Sequence, residues 1–236
     1  MSEELYSYDV FLSHSTKPGQ PHRRALFYLV THPTIWEQVQ LLRRRVSELD
    51  MGGFDTTRLI GPAALFPDHV TIRGIFSSET EEYLPQMCED IFQALKPLKP
   101  FVVTTGVLQG FSGGTLSIGF SEEGCSKFLE LQRAVLPVIQ RHRRRVIEPE
   151  FRGYLCSQEK LEVEHTREFG EPYVLELYKP HISLVSGLRD QRDYDKVLEL
   201  AQASGFTGIA LTVSQLWLME EEQIAGNWKA VCAFEL

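Results

Sequence analysis

The chain has 236 residues, 43% of them hydrophobic and 24% charged, an ordinary globular composition with enough length for a substantial core. Its 24 basic against 32 acidic residues give a formal net charge of −8, which excludes recruitment of nucleic acid by bulk attraction and leaves any nucleotide to a local site. The sequence has no apolar run of bilayer-spanning length and no signal-like start at Met1-Ser2-Glu3-Glu4-Leu5, and Cys88, Cys125, Cys156 and Cys232 are scattered without metal or redox spacing; a cytoplasmic chain with reduced thiols, away from membranes, is expected.

In chain order, residues 1–24 read as an amino-terminal extension with a short strand at Tyr8–Leu12 and a polar loop at Lys17–Pro21. Ala25–Val30 reads as a buried strand. Thr34 with Glu37 three residues on forms a capping-box pattern, opening a helix to about Leu49 with Ile35, Val39, Leu42 and Val46 as its apolar stripe. Met51-Gly52-Gly53 ends that helix. A strand from His69 to about Phe76 follows, then a helix over Glu79–Leu95 and a hairpin of Phe101–Leu108 with Thr115–Phe120. Ser121 caps a helix from Glu122 to about Arg143, with Pro137 as a kink point. Residues 146–170 carry no clear periodicity. Strands are expected at Tyr173–Leu177 and around residues 181–184, a helix at Asp190–Ala203, a strand at Gly208–Met219, and a last strand at Trp228–Phe234 after a turn at Gly226-Asn227.

Each half of the chain thus runs helix, histidine-containing strand, helix, hairpin. The repeat predicts an α+β fold of two pseudo-symmetric lobes, each an antiparallel sheet with flanking helices, around a central cleft. Residues 1–236 form one bilobal domain on this reading, with approximate repeat halves 25–120 and 121–236.

Two matching stretches carry the chemistry: Pro67-Asp68-His69-Val70-Thr71-Ile72 and Lys179-Pro180-His181-Ile182-Ser183-Leu184. Strand side chains alternate faces, so His69 shares a face with Thr71, and His181 with Ser183, while Val70, Ile72, Ile182 and Leu184 back them from the core. His14-Ser15-Thr16 and His32-Pro33-Thr34 lack that apolar backing, and Thr34 is accounted for as a helix cap. By the same parity Arg73 joins the polar face and could bind phosphate; the other account is an exposed strand-end arginine. Lys179 has the right parity but follows an irregular entry at Pro180. For Tyr178, Phe66, Tyr154 and Arg152, in segments that could border the cleft, ordinary packing is the better account.

Other patterns are read as structural. Gly110–Gly114 lies between strands with no Gly-Lys-Ser/Thr after it, so it is turn chemistry rather than a phosphate loop. Arg43-Arg44-Arg45 and the basic run 141–145 read as solvated helix ends, and Glu220-Glu221-Glu222 as a hairpin end. No His, Cys and Asp pattern has metal-ligand spacing.

His69-Val70-Thr71-Ile72 and His181-Ile182-Ser183-Leu184 resemble the paired His-x-Thr/Ser motifs of the 2H phosphoesterase superfamily, which includes 2′,3′-cyclic nucleotide phosphodiesterases and RNA 2′,5′ ligase-like proteins. The resemblance in element order covers about residues 25–236. It implies a metal-independent hydrolase, without cofactor, in which one histidine is general base and the other general acid. Thr71 and Ser183 would bind the non-bridging phosphate oxygens. Which histidine takes which role stays open. The expected partner is a nucleotide or RNA end, handled by a monomer in RNA processing; the rival expectations are another phosphodiester, or a nucleotide-binding module without chemistry.

Overall fold

The computed structural model describes residues 22–49, 68–78, 83–111, 114–188, 190–221 and 228–236. The Tyr8–Leu12 strand, His14, the helix stop at Met51–Gly53, Phe66 and the Gly226-Asn227 turn lie outside them. Eight strands are described: β1 (His22–Leu29), β2 (His69–Ser78), β3 (Phe101–Phe111), β4 (Thr115–Phe120), β5 (Ile182–Val185), β6 (Ala210–Val213), β7 (Gln215–Glu221) and β8 (Trp228–Glu235). The described helices are α1 (Pro33–Ser47), α2 (Leu84–Leu95), α3 (Glu122–His142), α4 (Lys160–Phe169) and α5 (Gln191–Gln202). All strands join one antiparallel sheet in the order β6-β3-β4-β5-β2-β1-β7-β8, curled into a half-barrel, and the fold is α+β as the repeat predicts.

Helical periodicity decides which side chains meet the sheet. Ile35, Val39, Leu42 and Val46 on α1, spaced three and four apart, are fully buried, as are Ile91 and Leu95 on α2 and Phe128, Val135 and Ile139 on α3. They form one core with Val70, Ile72, Ile118, Ile182, Leu184 and Leu218 from the covered face of the strands. A smaller cluster of Ala25, Phe27, Leu29, Met219 and Trp228 sits apart from that core. Alternation along β1 explains the division: Leu26 and Tyr28 belong to one cluster, and Ala25, Phe27 and Leu29 to the other.

The strand order is symmetric about the seam between β5 and β2, four strands to each side. The halves of the sheet are not the halves of the chain. Hairpin β3–β4 comes from the first half of the chain yet extends the β5 side, while β7–β8 comes from the second half yet extends the β2 side. Gly208–Met219, expected as one strand, accordingly divides at Ser214. β6 pairs with β3, and β7 pairs with β1. A chain that passes from β6 to β7 through one residue requires the curl to bring these two parts of the sheet close together; the Tyr28 hydroxyl, on β1, donates to the Thr212 carbonyl at 3.1 Å.

Local chemistry modifies other expectations. Pro33 rather than Thr34 opens α1, with His32 at the cap position and no side-chain cap bond, because proline has a helical φ already and no N–H to satisfy. Ser121 and Asp190 do cap their helices, accepting from the backbone N–H of Gly124 at 3.2 Å and Asp193 at 2.8 Å. Tyr173–Leu177 is not a strand: Leu175–Leu177 is a short 3-10 turn, Leu175 has φ 51°, and its N–H donates to Gln132 Oε1 at 2.7 Å. The unpatterned 146–170 region holds a second 3-10 segment, Pro149–Cys156, and α4, which stops at Gly170 in the left-handed conformation.

Several charged residues expected in solvent are buried. Glu220 and Glu221 pair with Arg24 and Arg23 on the adjacent β1, both at 2.5 Å. Arg43 leaves its exposed neighbours Arg44 and Arg45 and turns inward, donating to Asp68 Oδ1 at 2.8 Å and to the Leu184 carbonyl at 3.3 Å. It thereby ties the start of β2 to the end of β5, across the seam. Its place in α1, four residues after Val39 and three before Val46, puts it at the margin of the apolar stripe, and that spacing was the signal in the sequence.

Candidate active site

β2 and β5 run side by side rather than facing each other across a cleft. Val70 pairs with Ile182, and both are fully buried in the core. One step outward along an antiparallel pair, in either direction, sets His69 across from Ser183 and Thr71 across from His181. Neighbouring residues on a strand point to opposite faces, so these four side chains share the face away from the core. Each imidazole therefore lies beside the hydroxyl of the other motif, about the symmetry axis of the sheet. The sequence repeat implied the shared face; only the pairing register supplied the crossed arrangement.

The two histidines are held differently. His181 Nδ1 donates to the Lys179 carbonyl at 2.8 Å; a carbonyl only accepts, so the proton is on Nδ1 and the neutral ring keeps its Nε2 lone pair. The Phe111 ring stacks on it, centroids 4.2 Å apart and 29° between planes. Burial lowers the His181 pKa from its ordinary value, with the Lys179 hydrogen bond pulling the other way. Lys179 itself has an exposed side chain. The His69 ring lies 4.2 Å from Phe27, tilted by 36°. Tyr178, just before the second motif, donates its hydroxyl to the Thr71 carbonyl at 2.8 Å and so fastens one motif to the other.

Arg73 is not with this group. β2 carries irregularities opposite Leu26, so that Phe27 pairs with Thr71 while the next β1 residue, Leu26, pairs with Arg73. An extra residue in one strand re-aims a side chain, and Arg73 passes to the face of Leu26, where it is 1% exposed. There its guanidinium forms a buried ion pair with Glu171 and donates to the Phe169 carbonyl at 2.7 Å. Glu171 also accepts from the Gly74 N–H at 3.1 Å, and Gln132 Nε2 donates to the Ile72 carbonyl at 3.1 Å. Parity counted along an unbroken strand assigned Arg73 to phosphate; the bulge, whose one cue in His69–Phe76 is Gly74 inside the strand, makes it an internal strut. Glu171 and Gln132 carried no sequence signal.

Among the remaining candidates, Tyr154 packs edge-on against Tyr173 at 5.4 Å and Arg152 donates to the Ile147 carbonyl at 3.3 Å. Among the described residues no group of three or more His, Cys, Asp or Glu is placed to hold a metal ion, and no helix is long and apolar enough to cross a membrane.

Comparison with known proteins agrees with the fold. No curated protein sequence matches the chain. Among solved structures, E. coli LigT in apo form superposes with a TM-score of 0.55 at 11% identity, covering 92% of this chain and 98% of LigT. LigT complexed with 3′-AMP gives 0.52 at 11% identity, covering 92% and 99%. TT0787 of Thermus thermophilus gives 0.53 at 16% identity, covering 91% and 97%. At such identities the likeness is one of fold. The family model described as the 2′-5′ RNA ligase superfamily matches residues 31–224, a span that includes both histidine motifs, and the chain belongs to that superfamily, with the 2H phosphoesterase fold.

Proposed function

We propose that the protein is a phosphodiesterase that opens a 2′,3′-cyclic phosphate on a nucleotide or RNA end. The observation that supports this reading is the register of β2 on β5, from which strand alternation gives two imidazoles and two hydroxyls a common face. In the proposed reaction His181 Nε2 takes a proton from water as the water oxygen bonds to phosphorus. The bond from phosphorus to one ribose oxygen breaks, and His69 gives that oxygen a proton. A phosphomonoester and a free hydroxyl result. Thr71 and Ser183 donate to the non-bridging oxygens as charge builds on them. The assignment of His181 as base rests on its Nδ1–H tautomer and on burial, which favours the neutral ring. That LigT, of the same fold, has been crystallised with 3′-AMP supports a nucleotide ligand.

The test is incubation with the four 2′,3′-cyclic mononucleotides and a cyclic-phosphate oligonucleotide in EDTA, following ring-opened product by chromatography. Turnover is expected. Binding of nucleotide without turnover would instead make the protein a nucleotide-binding module.

A pH dependence follows from the same assignment. A base must be unprotonated, and the His181 pKa is lowered, so the acidic limb of kcat/KM should fall below the ordinary imidazole value near 6.5. Activity is lost as pH drops through that limb. Phe111→Ala, which uncovers the ring, should move the limb towards higher pH, while a limb that stays in place would mean that Phe111 does not bury the base.

A further inference from the structure

The symmetry of the sheet is broken beside Ser183. On the first side of the seam, Thr71 of β2 pairs outward with Phe27 of β1, and Phe27 with Trp217 of β7. On the second side, Ser183 of β5 pairs outward with Ser117 of β4, and Ser117 with Gln109 of β3. The position that holds an apolar ring in one half holds a hydroxyl in the other.

That hydroxyl is out of place by ordinary rules. Ser117 is 0% exposed, and its Oγ has no hydrogen-bond partner among the described residues. Gln109, its neighbour on β3, does not satisfy it, because the Gln109 amide lies over Gly119, where a Cβ would come within 3.0 Å of Nε2. A buried hydroxyl without a partner is destabilising, and such groups in folded proteins call for an explanation. Alanine would fill the site without that cost. Directly opposed residues of an antiparallel pair hold their Cβ atoms about 4.5–5.5 Å apart, within reach of a Ser–Ser hydrogen bond after a turn of χ1.

We propose that Ser117 is a positioning residue for Ser183. With a phosphate in the site, Ser117 Oγ–H donates to Ser183 Oγ, which fixes the Ser183 proton on a non-bridging phosphate oxygen and strengthens that donation by polarising it. This inference rests on the reading of the site as a phosphate site. It makes the second motif the better anion binder of the two, since Phe27 gives Thr71 no equivalent support.

The test is a double-mutant cycle of Ser117→Ala and Ser183→Ala, read by kcat and KM on the cyclic mononucleotides and by thermal melting. Ser117→Ala is expected to leave Tm unchanged or raise it while lowering kcat about tenfold with KM little changed. In the Ser183→Ala background it should have no further effect on kcat, because its partner is gone, and Ser117→Thr, which keeps the hydroxyl, should recover part of the loss. An unchanged kcat in Ser117→Ala overturns the proposal, as does a loss that persists undiminished without Ser183. A lowered Tm with unchanged kcat would make Ser117 a packing residue. If the wild-type protein turns over none of these substrates, the proposed reaction fails separately; calorimetric titration with nucleoside 3′-monophosphate, whose phosphate carries more charge than the cyclic diester that sets KM, then decides, weaker binding by Ser117→Ala supporting the positioning role and equal binding overturning it.

Discussion

His181→Ala is expected to lower kcat on a 2′,3′-cyclic nucleotide by about a hundredfold or more, the range for loss of a positioned general base. The loss should fall on kcat more than on KM, because proton removal from water is realised in the transition state and not on binding. His181→Ala should also abolish the acidic limb of the pH profile, since the group that titrates there is gone. His69→Ala should give a loss of similar size, with the alkaline limb removed instead. The two losses will not add: a site in which acid and base act in one displacement loses most of its rate with either. Rapid-quench kinetics at several pH values, together with melting curves of each variant, would check this. Loss of the alkaline limb on replacing His181 would reverse the two roles, and a loss under tenfold from either variant would mean that other residues carry the reaction.

The second large effect concerns stability. Arg73→Met is expected to destabilise the fold by about 3–5 kcal/mol, because it leaves a buried carboxylate without its counter-charge. Glu171 is the stranded group, with burial already raising its pKa against the pull of Arg73. A stability of about 5–15 kcal/mol is usual for a domain, so this variant should be largely unfolded at mild denaturant concentrations. Arg73→Met combined with Glu171→Leu should recover part of the loss, since removing both charges leaves neither unpaired while the Gly74 N–H and the Phe169 carbonyl lose their partners. In the recovered protein KM for the cyclic nucleotide should be near that of the wild type, as Arg73 lies on the face opposite the histidines. Urea denaturation and steady-state kinetics on the same samples separate the outcomes: a stable Arg73→Met with a strongly raised KM would return Arg73 to the phosphate.

Much of the architecture was legible because it depends on short-range periodicity. The stripe Ile35, Val39, Leu42, Val46 and the cap Ser121 are local properties, and they behave in the structure as spacing and hydrogen-bond chemistry require. Expectations failed where a neighbour from elsewhere in the chain decided. Thr34 is the exception, displaced for a local reason: Pro33 one residue earlier is better suited to the first turn. Leu175 lies in an apolar stretch that reads as strand, but Gln132, 43 residues away, takes its N–H into a turn. The single strand expected at Gly208–Met219 became two because the sheet has to be extended on both sides of the seam, one by β6 and the other by β7.

The candidate site divides along the same line. The sequence by itself determined the two motifs, the face that each histidine shares with its hydroxyl, and the apolar backing of Val70, Ile72, Ile182 and Leu184, since strand alternation needs only residues two apart. Tertiary structure decided that the motifs are neighbours in one sheet, that the register sets His69 across from Ser183 and Thr71 across from His181, and that the Lys179 carbonyl fixes the His181 tautomer under the Phe111 ring. It also withdrew Arg73 from the site and placed Ser117 beside it. The physical reason is that parity along one strand survives only until an inserted residue breaks it, whereas pairing between strands depends on hydrogen bonds to residues more than a hundred positions away.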